Sequence, residues 1–236
     1  MKPADKAKTF EAPQGSLIRR ELRAIREPFR LGLQSRLLRH APKGTGGVMV
    51  IPGFSANDLF MAPLRAYVRR LGYRTWGWDL GTNRGRVEHN LPRVIEQVER
   101  RVAENDGKPI ALIGWSLGGV FAREVTRDRP ELVTEIITMA TPIYGGPRYT
   151  VSADNYDETE LDQIEDKIDE RSPILIDHRI TAFYTKRDGA VDWRACIDDI
   201  NPNVDMIEVD SSHLGIILDP TVWLGIANRL ASAELS

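Results

Sequence analysis

The stretch Lys108-Pro109-Ile110-Ala111-Leu112-Ile113-Gly114-Trp115-Ser116-Leu117-Gly118-Gly119-Val120-Phe121-Ala122-Arg123-Glu124 decides the fold. Ile110 to Ile113 is an apolar run that predicts a buried strand, Gly114 to Gly118 an abrupt turn, and Val120 onward a helix. Such a turn forces the serine into a strained backbone conformation with its hydroxyl exposed. It also needs residues without a Cβ on either side so that strand and helix can approach, a demand that Gly114, Gly118 and Gly119 meet.

Working outward, apolar runs recur at Gly47 to Ile51, Tyr73 to Trp78, Leu132 to Met139, Ile180 to Thr185 and Val204 to Val209. Helical patterns lie between them. Pro63 is placed to open one helix, and Asn90 to cap another with Pro92 in its first turn. Asp219 and Pro220 open the closing helix. Short strands alternating with longer helical patterns predict an α/β fold: one mainly parallel sheet of about six strands with helices on both faces. A chain of 236 residues with 42% apolar content suits a single domain.

Two charged segments fall outside this alternation. Residues 1 to 46, read as an N-terminal helical extension, hold eleven Lys and Arg against four Asp and Glu. Residues 1 to 14 are polar and broken by Pro3 and Pro13, which predicts a loose arm. From Ser16, a suitable N-cap, Ile18, Leu22, Ile25 and Phe29 recur on one helical stripe, and a second piece after Pro28 carries Leu33, Leu37 and Leu38. A basic amphipathic segment can lie on an anionic membrane; the expectation here is that the stripe covers the domain's own core while the arginines stay in water. The second segment is an acidic insertion over residues 146 to 178, whose part from 151 to 178 holds ten Asp and Glu against two Lys and Arg. Leu161, Ile164 and Ile168 fit a short helix inside it. Its position between two strands admits either a lid over the site or a water-facing surface helix.

The net charge of −2 gives no basic field for nucleic acid. The one cysteine, Cys196, excludes an internal disulfide, and the four scattered histidines lack metal-ligand spacing, so a metal-free, cofactor-free chemistry is expected. The absence of a signal-like or membrane-spanning run, with a single thiol, suggests a cytoplasmic protein.

Candidate functional residues fall just past the ends of predicted strands, where open parallel sheets bind ligands. A serine hydroxyl is a weak nucleophile near neutral pH. It needs a base, and the base needs a carboxylate to fix its tautomer. Ser116 is the nucleophile candidate and His213, the only histidine beyond the penultimate strand, is the base. Asp188, nearest its strand end, is the favoured carboxylate, with Asp192 as the alternative; Asp210 stands too close to His213 in sequence and reads as a turn residue. The backbone N–H groups of Leu117 and Phe54 are candidates for an oxyanion hole. Trp115, Ile143, Tyr144 and Leu214, with Phe54, are candidates for an apolar acyl pocket.

Five motifs in order, Val48 to Ser55, Gly81-Thr82-Asn83, Gly114 to Gly119, Asp188 to Asp192 and Ser212 to Ile216, resemble the small bacterial lipases and esterases of the α/β-hydrolase superfamily. The resemblance covers residues 47 to 145 and 179 to 232. It implies that Ser116, Asp188 and His213 form a triad with Phe54 and Leu117 as oxyanion donors, acting on small-molecule or lipid esters. Pro52-Gly53 and Trp115 depart from the His-Gly and His that such enzymes often carry at these places. Backbone donation survives both changes, whereas substrate preference cannot be transferred. Thioester cleavage, acyl transfer and a non-catalytic interaction role on the same fold remain alternatives. A serine at the elbow argues against dehalogenases and epoxide hydrolases, which use a carboxylate there.

Overall fold

The structure, a computed structural model, describes residues 10–13 and 18–233. The Ser16 N-cap and the Pro3 break therefore lie outside the described residues, as does the side chain of Ile18. Six parallel strands form one sheet: β1 (Gly47–Ile51), β2 (Arg74–Trp76), β3 (Ile110–Trp115), β4 (Val133–Met139), β5 (Ile180–Tyr184) and β6 (Val204–Glu208), in the order β2-β1-β3-β4-β5-β6. Among the described residues no helix is long and apolar enough to cross a membrane.

Every residue of β1 and β3 is buried, as continuous apolar runs require when both faces of a parallel sheet are covered. Alternation along these strands sorts the core into two layers. Val48, Val50, Ala111 and Ile113 meet Leu64 and Val68 of one helix (Ala62–Arg70) and Ile226 and Leu230 of the last (Pro220–Ala233). Met49, Ile51, Ile110 and Leu112 face the other way, against Val94 and Val98 (helix Val87–Glu104) and Phe121 and Val125 (helix Leu117–Asp128).

After β1 the chain moves to the sheet edge for β2 and returns to build β3 on β1's other side. That reversal opens a crevice at the carboxyl ends of β1 and β3.

Several local expectations are corrected. β2 is shorter than Tyr73 to Trp78, because the Trp78 and Asp79 N–H groups donate to the Asp58 carboxylate, each at 3.0 Å, instead of to a strand. The helix before β3 starts at Val87, not at Asn90, and holds Pro92 in its interior; the Asn90 side chain donates back to the Gly85 carbonyl at 2.7 Å. The arm is not loose at Phe10, which is buried against Tyr144 and Tyr149 with ring centroids 6.0 and 5.5 Å away.

The largest correction concerns the amphipathic stripe. Residues 18 to 39 are helical in short pieces, Ile18–Glu21, a 3₁₀ turn Leu22–Arg26, Glu27–Leu33 and Ser35–Arg39, but Leu22, Ile25, Phe29, Leu33 and Leu37 point outward. The inner face is Glu27, Arg30, Leu31 and Leu38. Polar chemistry decides this orientation. Arg30 donates to Glu27 at 2.7 Å and to the fully buried Asp219 at 2.9 Å, and Ser211 donates to Glu27 at 3.4 Å. Turning the apolar stripe inward would leave Asp219 buried without its cation.

The acidic insertion forms a helix, Glu158–Arg171, opened by a capping box between Asp157 and Glu160. Its entry is fastened to the loop after β5 by a bridge between Thr150 and Val191 and by a bond from the Val151 N–H to the Ala190 carbonyl at 2.8 Å.

Candidate active site

β3 ends at Trp115 and the next helix begins at Leu117, leaving Ser116 between them with φ 52° and ψ −123°. A non-glycine residue in this region stores about 1–3 kcal/mol of strain, so neighbours must hold it there. The Ser116 N–H donates to the Met139 carbonyl at 2.8 Å, and its carbonyl accepts from Thr141 Oγ1 at 3.0 Å and the Gly119 N–H at 2.9 Å. The flanking glycines are steric necessities: a Cβ on Gly114 would lie 2.4 Å from Gly118 backbone, and one on Gly118 2.2 Å from the Ile51 carbonyl.

Asp188 and His213, 25 residues apart, meet at the same edge of the sheet. Asp188 Oδ2 accepts from His213 Nδ1 at 2.8 Å, while Oδ1 accepts the Ala190 and Val191 N–H groups at 2.8 and 2.7 Å. Both are buried. This bond commits Nδ1 as donor and leaves Nε2 as the basic nitrogen. Burial alone would push the imidazole toward its neutral form, but the Asp188 carboxylate, and more weakly Glu21, outweigh it and raise the pKa above the ordinary histidine value. Trp115 ties this loop to the elbow, its indole donating to the His213 carbonyl at 3.0 Å with the two rings 5.3 Å apart. Ser116 Oγ has no hydrogen-bond partner among the described residues.

Asp192 is engaged elsewhere: its carboxylate takes the Arg194 guanidinium at 2.6 Å and the Glu11 N–H at 3.1 Å, and caps the turn at Trp193. Burial raises its pKa, but the Arg194 bonds prevail and the net shift is downward. Asp210 is exposed and pairs with Arg187 at 3.1 Å.

Neither the Phe54 nor the Leu117 N–H donates to another described residue. The Phe54 turn is held by Asn83, which is fully buried: its side chain donates to the Pro52 carbonyl at 2.8 Å and accepts the Gly85 N–H at 3.1 Å, and its carbonyl accepts the Ser55 N–H at 2.7 Å.

Sequence reasoning missed Glu21. Its carboxylate accepts the N–H groups of Gly189 at 2.9 Å, His213 at 3.0 Å and Leu214 at 2.8 Å, joining the acid loop to the base loop. No spacing rule relates position 21 to partners 168 and 192 residues away.

The acyl pocket expected from Trp115, Ile143, Tyr144 and Leu214 is not assembled as a set. Trp115 is buried, sandwiched between Phe60 and His213. Tyr144 is buried with Phe10, bonds Asp199, and Ile143 packs partly exposed beside it; desolvation, then Asp199, pushes the phenol pKa upward. Leu214 lines a mostly apolar groove of about 410 Å³ with Leu59, Phe60, Pro63, Ile217 and Leu218, a set that none of the other three joins. Phe54 lines a second cleft of about 640 Å³, whose wall carries Arg84, Arg86, His89 and Arg93.

A sheet with this strand order, a strained serine after its third strand, an aspartate after its fifth and a histidine after its sixth has the α/β-hydrolase fold. Solved structures agree: alpha/beta hydrolase domain-containing protein 10 from mouse superposes with TM-score 0.57 at 19% identity, over 80% of this chain and 90% of that one. A lipase-esterase related protein from Clostridium acetobutylicum gives 0.56 at 15% over 82% and 95%, and the thioesterase domain from the curacin biosynthetic pathway 0.52 at 14% over 84% and 92%. At these identities the likeness is one of fold. No family model and no curated protein matches the sequence.

Proposed function

We propose that this protein is a serine hydrolase that cleaves carboxylic esters through an acyl-enzyme. The observation that carries the reading is the Asp188–His213 bond at 2.8 Å beside an elbow that presents Ser116 in a strained conformation. His213 Nε2 takes the Ser116 proton as Oγ attacks the ester carbonyl carbon, a hydrogen bond that forms as substrate engages. Negative charge collecting on the carbonyl oxygen is met by the free Phe54 and Leu117 N–H groups. The carbon–oxygen bond to the alcohol breaks and the alcohol leaves with the proton from His213. Water, deprotonated by the same nitrogen, then attacks the acyl carbon; Oγ recovers the proton and the acid departs.

The apolar groove at Leu59, Phe60 and Leu214 suits the acyl chain, and the cleft lined by Arg84, Arg86 and Arg93 suits a polar or anionic leaving group. That cleft is the reason to keep thioesters beside oxygen esters as substrates, since the same relay breaks a carbon–sulfur bond and the curacin thioesterase domain has the same fold.

The test is hydrolysis of p-nitrophenyl esters of graded chain length. Ser116→Ala is expected to lose kcat by a factor on the order of 10⁴ to 10⁶ with the fold retained. Activity that survives this substitution, or failure of a fluorophosphonate to label Ser116, rejects the mechanism.

A further inference from the structure

Among the described residues, the outward stripe of the N-terminal helices holds five of the eleven exposed large apolar side chains. Leu22, Ile25, Phe29, Leu33 and Leu37 follow one another at spacings of three, four, four and four, and their exposure runs from 51% at Leu37 to 85% at Leu33. Apolar side chains exposed singly are ordinary; five in one row mark a contact surface. Arginines border the row. Arg19, Arg20, Arg26 and Arg36 are exposed and Arg23 is half-buried, and none of the five forms an ion pair with another described residue. Many arginines elsewhere are engaged, Arg65 with Asp58, Arg123 with Asp198, Arg179 with Glu135 and Arg229 with Asp205, although Arg84 and Arg86 of the cleft at Phe54 are not, among the described residues.

An occupant of this face must be apolar along the whole row and negative along its borders. A second copy offers a less complete match: Glu158, Asp162 and Glu165 of its acidic insertion already face Arg148, and Glu124 and Asp128 face Arg171, which leaves exposed carboxylates such as Asp166 and Glu170 scattered and not bordering an apolar row. An anionic bilayer has both properties over any length, with acyl chains beneath a layer of phosphates. The row is also continuous with the apolar groove. Glu21, next to Leu22, holds the Leu214 N–H at 2.8 Å, and Leu214 shares the groove with Leu59 and Phe60, which are 80% and 46% exposed.

We propose that residues 18 to 39 are a docking surface for an anionic lipid bilayer, with Leu22, Ile25, Phe29, Leu33 and Leu37 seated at the acyl boundary and the bordering arginines at the headgroup phosphates. Docked this way, the groove at Leu214 opens toward the lipid. The surface does not depend on the chemistry at Ser116, so the inference stands or falls by binding alone.

The experiment is co-sedimentation of the full chain with vesicles of phosphatidylcholine alone and of phosphatidylcholine mixed with phosphatidylglycerol. Binding to the anionic vesicles is expected to be about 10-fold or more the stronger and to weaken as salt is raised. Phe29→Ser with Leu33→Ser is expected to lose binding about 10-fold at unchanged Tm, since both side chains already stand in water. Arg19→Gln with Arg26→Gln and Arg36→Gln is expected to remove the preference for anionic vesicles. Absence of binding to anionic vesicles overturns the proposal, as does binding that neither set of substitutions alters. It is equally overturned if gel filtration finds a dimer that Phe29→Ser with Leu33→Ser dissociates, because a second copy then owns the face.

Discussion

The basic segment before β1 and the acidic insertion after β4 look like mirror images in composition, yet they use charge in opposite ways. In the insertion, Arg148 reaches Glu158, Asp162 and Glu165, Lys167 pairs with Glu88, and Arg171 crosses to Glu124 and Asp128 on a core helix. Arg148 gathers three of its anions, while Lys167 and Arg171 reach out and fasten it to the domain. In the N-terminal helices, by contrast, the two carboxylates turn inward. Glu27 joins Arg30 and Asp219 beneath the His213 loop, Glu21 takes three backbone N–H groups around the site, and most of the arginines are left outside. A charge run is thus a poor guide to its own purpose. What separates the two is where the minority sign goes.

The sharpest way to break this contrast is Glu21→Ala. If Glu21 holds the Gly189 and His213 loops in register, its loss lets the imidazole drift by a fraction of an ångström to about 1 Å, and kcat is expected to fall about 100-fold with KM little changed. Glu21→Gln retains an acceptor and should lie between. The pH profile adds a readout that a purely structural role would not move. His213 must be neutral to act as base, and its raised pKa puts the acid limb above the ordinary histidine range. Glu21 is one of the groups raising it, so Glu21→Gln should move the limb to lower pH. The same upward shift means that the imidazolium form favours the folded state; that contribution is complete below about pH 6.5, the unfolded value, and is lost as pH rises through the folded pKa. Wild-type kinetics with an unmoved limb in Glu21→Ala would make the N-terminal carboxylate an ornament of the surface.

The insertion is tested by Arg148→Ala, which strands Glu158, Asp162 and Glu165 beside one another with no cation. The guanidinium is partly sheltered while two of its partners are well exposed. A loss of about 1 kcal/mol is expected, with a Tm lower by a few degrees and faster proteolysis between residues 146 and 178. No loss of stability, together with unchanged proteolysis, would mean that the ion pairs do not fasten the insertion.

Much of this architecture is written locally. Gly47 to Ile51 and Ile110 to Trp115 announce buried strands because both faces of the sheet are covered, and the glycines around Ser116 announce the elbow because no Cβ fits there. What escapes local reading is long-range polar choice. The apolar side chains of the outward stripe point to the core on hydrophobic pattern alone, but a buried Asp219 recruits Arg30, which also pairs with Glu27, and those ion pairs set the rotation of the helix. Likewise Asp58, taking the Trp78 and Asp79 N–H groups, cuts β2 short, and Trp115 and Tyr144 leave the expected acyl pocket because their polar tips bond the His213 carbonyl and Asp199 inside the fold. Hydrophobic period counts faces; it does not say which face a partner far along the chain will claim.

Arg26→Ala carries the smallest expected effect and sharpens the comparison most simply. Arg26 is exposed and has no ion pair with a described residue, unlike Arg148. Removing it should therefore leave the unfolding free energy from denaturant titration within about 0.5 kcal/mol of wild type, because a solvated guanidinium supports nothing in the isolated fold. Measured side by side, Arg148→Ala and Arg26→Ala ask whether the two segments differ in what their arginines hold. A destabilisation at Arg26 as large as that at Arg148 would mean that its charge is engaged within the chain after all, and the arginine border would then be scaffolding and not a surface held open for a partner.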